Sequence, residues 1–103
     1  MDARTALVAD SIVQALSQFE AVHVVVLFGS RARGDNRERS DVDIAVDATG
    51  ANPIEWAEIS EALETVPTLL QLDVVRLENA SPAMRTEIER DGVVLYDVRT
   101  RAA

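Results

Sequence analysis

Cysteine is absent from the 103-residue chain. This excludes a disulfide framework and a thiolate zinc site, and it fits a reducing compartment. Aromatic residues are scarce, with one Trp, one Tyr and two Phe, so the core is expected to be aliphatic. Basic residues are in deficit, ten Lys+Arg against 18 Asp+Glu, for a net charge of -8. General DNA or RNA binding by counterion release needs a basic footprint, and this balance argues against direct nucleic-acid binding. No run is apolar for long enough to span a membrane, and the start, MDARTALVAD, lacks the pattern of a signal peptide. The expectation is a cytoplasmic, non-membrane protein. The single histidine, His23, has no second imidazole to share a metal with and is expected at a strand rim in a structural role.

What is present is enough for one folded unit. Apolar residues make up 48%, too many for a disordered tail, and a chain of this size can bury roughly 60 to 70% of its unfolded surface. A single domain over residues 1–103 is expected, without an internal repeat. Leu7, Val8, Ile12, Ala15, Leu16 and Phe19 recur at helical spacing and predict a helix over 3–19 packed on a sheet. The Val-rich run 22–28 predicts a buried strand, broken by Gly29-Ser30. Ser30 is expected to cap a short helical turn that Gly34 ends, and 35–40 read as a polar loop. Residues 41–46 alternate, placing Val42, Ile44 and Val46 on one face and Asp41, Asp43 and Ala45 on the other.

Asn52-Pro53 with Glu55 is a capping box that opens the next helix, with Ile54, Ile59, Leu63 and Val66 as its core stripe and Trp56 partly buried. Residues 69–77 predict a third strand, in which Asp73 shares a face with Gln71 and Val75. Ser81-Pro82 starts a helix with Met84 and Ile88 inward, Asp91-Gly92 ends it, and 93–96 form a last short edge strand. Residues 98–103 are expected to fray. The link from Phe28 to Asp41 is too short for a helical crossover, so those strands are expected to be antiparallel neighbours. The fold class is thus α/β in the α+β sense, a small mixed sheet of about four strands with helices mainly on one face.

The chemistry gathers around Gly29 to Asp43. Two aspartates two residues apart on a strand project from one face and can reach a pair of divalent cations about 3.5 to 4 Å apart. Like charges so placed destabilise a sheet unless something compensates. Magnesium prefers carboxylate and phosphate oxygens. Glycine lets the backbone approach a phosphate, the following turn presents amides to it, and the Ser30 hydroxyl can donate. Arg31 and Arg33 supply further positive charge. Asp73 is costly in an apolar strand unless paired or coordinated. If its strand lies beside that of Asp41 and Asp43, three carboxylates converge, the third able to orient an attacking hydroxyl. The lone Gly-Ser turn is neither a Walker A loop nor a dinucleotide fingerprint.

Gly29-Ser30, ten residues, then Asp41-x-Asp43 resembles the GS-x10-DxD motif of the DNA polymerase β-like nucleotidyltransferases. More closely, FGSRARG, SDVDIAV, LDVV and EIERDGVVLYD resemble the minimal nucleotidyltransferases, small bacterial and archaeal proteins often found as the antitoxin of a HEPN-domain ribonuclease toxin. The resemblance implies the polymerase β-like nucleotidyltransferase fold, two Mg²⁺ ions, ATP as donor and transfer of AMP to a hydroxyl, which in such pairs can be a toxin tyrosine. Residue by residue it places Gly29 and Ser30 on the triphosphate and Asp41, Asp43 and Asp73 on the metals. The expected function is therefore a Mg²⁺-dependent protein adenylyltransferase acting as antitoxin to a HEPN toxin, as a homo-oligomer or a hetero-oligomer with that toxin. Two alternatives are a non-catalytic module that neutralises the toxin by binding, and a nucleotidyltransferase for an aminoglycoside-like small molecule whose acceptor pocket a partner completes.

Overall fold

A computed structural model describes residues 1–101. The elements in chain order are α1 (Ala3–Leu16), β1 (Val24–Phe28), α2 (Ser30–Arg33), β2 (Val42–Asp47), α3 (Pro53–Glu64), β3 (Leu72–Arg76), a 3₁₀ turn at Leu77–Asn79, α4 (Pro82–Asp91), β4 (Val93–Asp97) and α5 (Val98–Arg101). The four strands form one sheet in the order β3-β2-β1-β4. β1 runs antiparallel to both β2 and β4, and β2 runs parallel to β3. The sheet is mixed, and the β1–β2 pairing is the antiparallel one that the short connection demanded.

Alternation along the strands splits the core into two layers. Val25 and Leu27 of β1 and Val42, Ile44 and Val46 of β2 pack against Val8, Ile12 and Leu16 of α1 and Ile59 and Leu63 of α3. The opposite face carries Val26, Phe28 and Ala45, covered by Ile88 and Met84 of α4. The two long helices therefore share one face, and α4 covers part of the other. The helix starts follow from their caps. Asp2 accepts from the Thr5 amide at 2.7 Å, Asn52 and Glu55 close a reciprocal capping box ahead of Pro53, and Ser81 accepts from Met84 ahead of Pro82. These bonds satisfy amides that a helix start otherwise leaves open.

Some expectations need correction. Leu7 and Ile54 are 70% and 72% exposed. Each lies nine positions from a buried leucine of its helix, Leu16 and Leu63, which is about two and a half turns and so the opposite side. α1 ends at Leu16, not at 19. β3 begins at Leu72, because Thr68 takes the Leu70 amide and holds 68–70 in a turn. Leu69 is left 98% exposed. Residues 98–101, expected to fray, are helical; the rest of that segment, 102–103, lies outside the described residues. His23 is half-buried at the β1 entry, its Nε2 3.1 Å from the Thr49 carbonyl. Among the described residues no helix is long and apolar enough to cross a membrane.

Candidate active site

The sheet register brings the acids together. β2 and β3 are parallel with Asp43 directly opposite Asp73, both on the face away from α1 and α3. Asp41 lies just before β2, which begins at Val42. β1 is antiparallel, so its end falls at the same edge of the sheet: Phe28 pairs with Asp43, and Gly29 follows. The turn and all three carboxylates thus gather at one end of the sheet. Asp41 also walls a groove of about 540 Å³ with Arg4, Glu38, Arg39, Leu69, Leu70 and Gln71. A separate groove of about 490 Å³ under Trp56 is lined by Leu72 and Val74. These belong to the α1/α3 side of the sheet, so that groove faces away from the acids.

Gly29 is specified twice over. Its φ of 73° and ψ of -159° lie in a region essentially reserved for glycine. A Cβ placed there would overlap Asp43 Oδ2. Gly29 itself is the cap of α2, and Ser30 is the first helical residue, one place later than its expected capping role. The amides of Ala32 and Arg33 both fold back on the Gly29 carbonyl, each at 3.1 Å. Gly34 closes the turn in the left-handed conformation at φ 87°, its amide returning to Ser30 at 2.9 Å. The Ser30 hydroxyl has no hydrogen-bond partner among the described residues and is half-buried beside the acids' end of the sheet.

The electrostatics are those of negative charge without compensation. None of the ion pairs among the described residues involves Asp41, Asp43 or Asp73. Burial, then the Asp73, Asp41 and Glu87 carboxylates, push the Asp43 carboxyl up to about 6, helped by a hydrogen bond to Asp73. Among the described residues no three acidic or imidazole donors already converge on one cation-sized point. The donor set nevertheless fits a hard divalent cation: oxygen donors only, an uncompensated charge, and a carboxyl that holds a proton where a cation could replace it. Glu87 of α4 was not among the sequence-derived candidates. Its signal was available in principle, since it neighbours inward-facing Ile88 and lies one turn after Met84.

The two arginines offered as further positive charge differ: one is buried and committed, the other is exposed. Arg31 is 1% exposed. Its Nε donates to the Ser40 carbonyl at 2.9 Å, Nη1 to Thr5 Oγ1 at 2.9 Å, and Nη2 to the carbonyls of Glu38 at 2.9 Å and Arg37 at 3.4 Å. With these donors committed it is not a phosphate ligand in this geometry. Breaking such a buried charged group out of its partners typically costs about 3 to 5 kcal/mol. Arg33 is more open, but it bridges Asp35 and Asp91, both at 3.1 Å, and so ties α2 to the end of α4.

Known proteins resemble this chain in sequence and fold. A Methanocaldococcus jannaschii protein, provisionally named a protein adenylyltransferase, is 36% identical over 73 residues, 68% of this chain and 73% of its own length. A chain of a toxin–antitoxin crystal structure with AMP-PNP is 26% identical and superposes with a TM-score of 0.71 over 89% of this chain and 75% of its own. A chain from the complex of a tri-AMPylated Shewanella oneidensis HEPN toxin with its MNT antitoxin shares the fold, with a TM-score of 0.65 and 22% identity over 95% of this chain and 76% of its own. Residues 10–101 match the family described as polymerase beta, nucleotidyltransferase. From the glycine–serine turn to the facing aspartates, and across nearly its whole length, the chain belongs to the polymerase beta nucleotidyltransferase family.

Proposed function

We infer that this chain, acting as one nucleotidyltransferase domain in the cytoplasm, moves AMP from ATP to a hydroxyl of a HEPN-type toxin and so serves as its antitoxin. The observation that carries this reading is the facing of Asp43 and Asp73 across parallel strands, with Asp41 ahead of them and Gly29 pressed against Asp43. The Methanocaldococcus jannaschii relative named for protein adenylylation and the nucleotide-bound toxin–antitoxin neighbour support the same direction.

Asp41, Asp43 and Asp73 would hold two Mg²⁺ ions. When bound, these supply positive charge that polarises the phosphates and offsets the charge of departing pyrophosphate. The chain's own groups do the rest. The absence of a side chain at Gly29 lets the backbone approach the triphosphate, and the Ser30 hydroxyl donates to a phosphate oxygen. The acceptor oxygen bonds to the α-phosphorus as the bond to the bridging oxygen breaks, and the hydroxyl proton passes to the Asp73 carboxylate. Asp73 is exposed at the sheet's edge strand, where a partner's hydroxyl can reach it.

The test is incubation of the chain with Mg²⁺, ATP labelled at the α-phosphate, and the protein encoded beside it. Label on a HEPN-like neighbour, lost with Asp41→Ala plus Asp43→Ala, is the expected result. An unlabelled neighbour, or label unaffected by the double substitution, refutes catalysis. Toxin neutralisation that survives the substitution would point to binding alone, and transfer to an aminoglycoside would point to a small-molecule enzyme.

A further inference from the structure

Asp43 and Asp73 are held by the ladder: their register is set by paired backbone on both strands. Asp41 is not. It precedes β2 and is exposed, at the end of a polar segment in which Gly34, Asp35, Arg37, Glu38 and Arg39 all face solvent. That segment has little internal support, chiefly the Ser40 amide on the Arg37 carbonyl at 3.2 Å and the Arg37 amide on Ser40 Oγ at 2.8 Å. Exposed polar loops of this kind are normally the mobile parts of a fold.

One side chain changes this. Arg31 directly follows Ser30, so its backbone belongs to the glycine–serine turn. Its guanidinium takes three carbonyls of the 37–40 segment, including that of Ser40, the residue before Asp41. Its remaining arm is anchored on Thr5 of α1 at 2.9 Å, with the Asp2 carboxylate of the α1 cap 3.9 Å away. A planar guanidinium presents its donors in a fixed fork, so these bonds set a distance as well as an attraction. We propose that Arg31 is a positioning residue, whose buried guanidinium sets the span between the Gly29-Ser30 turn and Asp41 so that the phosphate-facing and cation-facing halves of the site meet. A purely space-filling side chain would not need its donors bonded to three loop carbonyls and a hydroxyl, as they are here. This inference rests on the site assignment above and adds to it the residue that holds the halves together.

The experiment uses the full chain and three variants, Arg31→Lys, Arg31→Gln and Thr5→Val. The probe is Mn²⁺ with AMP-PNP, followed by electron paramagnetic resonance. Melting temperature and the ¹⁵N relaxation of the Ser40 and Asp41 amides are measured alongside. Disturbing a group that orients a metal ligand typically costs about 10- to 100-fold in affinity. Each folded Arg31 variant is expected to weaken Mn²⁺ binding by at least about tenfold and to loosen the Asp41 amide. Thr5→Val removes the Thr5 bond but keeps the Asp2 ion pair and the grip on the loop; it should lower the melting temperature and leave Mn²⁺ affinity within about twofold. Wild-type affinity and a rigid Asp41 in an Arg31 variant would overturn the proposal. So would Thr5→Val weakening Mn²⁺ binding as much as the Arg31 variants do. If the wild-type chain binds no Mn²⁺ with AMP-PNP, the site assignment fails, and a loosened or rigid Asp41 amide still decides whether Arg31 holds that residue in place.

Discussion

Replacing Gly29 with alanine should separate the demands of the backbone from those of the site. At φ 73° and ψ -159°, a non-glycine residue carries a strain of about 1 to 3 kcal/mol. The added methyl would also overlap Asp43 Oδ2 and lie 3.1 Å from Asp43 Cγ. The Asp43 side chain must therefore leave its present position, and pushing it off its rotamer costs about 1 kcal/mol. The sum, about 2 to 4 kcal/mol, corresponds to a melting point lowered by about 10 to 20 °C in a domain of this size. Displacing a reacting-site group by about 1 Å can cost about a hundredfold in rate, and a loss of that order in AMP transfer is expected. Gly34→Ala is the control. Its φ of 87° is also positive, but nothing lies within 4 Å of the new methyl. It should cost about 1 to 2 kcal/mol and leave transfer intact. Thermal melts and initial transfer rates of the two variants decide the matter; equal losses in both assays would refute the contact argument.

Three further outcomes are expected. The raised Asp43 carboxyl, at about 6 against 3.8 unfolded, means the native state holds its proton more tightly. That contribution is complete below the unfolded value and is lost as pH rises through about 6. It is worth about 1 kcal/mol once solvent screening is allowed for. In EDTA, the stability gap between wild type and Asp43→Asn should therefore shift against wild type between pH 4 and 7.5, as read by urea melts, and a flat difference would contradict the assignment. Glu87→Gln removes one of the charges raising Asp43 and should move the midpoint of that pH dependence downward, measured the same way. Arg76 bonds Glu78 at 2.6 Å and the carbonyls of Ala48 and Ala51, and stacks 4.9 Å over Trp56; Arg76→Met should cost about 2 to 3 kcal/mol in a urea melt while Mn²⁺ binding is unchanged.

The parts of this architecture that could be read from the chain are those governed by local rules. The capping residues Asn52 and Ser81, each followed by proline, marked two helix starts. The two-residue alternation over 42–46 placed Val42, Ile44 and Val46 on the core face and Asp43 on the other, while Asp41 lies before the strand. The short Phe28–Asp41 link dictated an antiparallel pair. Asp73 stood out because an acid in an apolar strand needs a reason, but only the parallel register puts it opposite Asp43. Arg31 shows where local rules stop. An arginine after a glycine–serine turn reads as a phosphate ligand, and nothing nearby in sequence signals that Thr5, 26 positions earlier, would draw it inward. Leu7 and Ile54 were misplaced because apolar residues two and a half turns from the buried stripe were counted with it. Glu87 was passed over because its proximity to the acids depends on α4 crossing the other face of the sheet.

The most direct test of the account is the binding of Mn²⁺ in the presence of AMP-PNP to the wild-type chain and to the chain carrying Asp41→Asn and Asp43→Asn together. The account predicts nucleotide-dependent binding by the wild type that is abolished in the double variant while its melt stays cooperative. Equal binding by both, or none by a folded wild type, would contradict it.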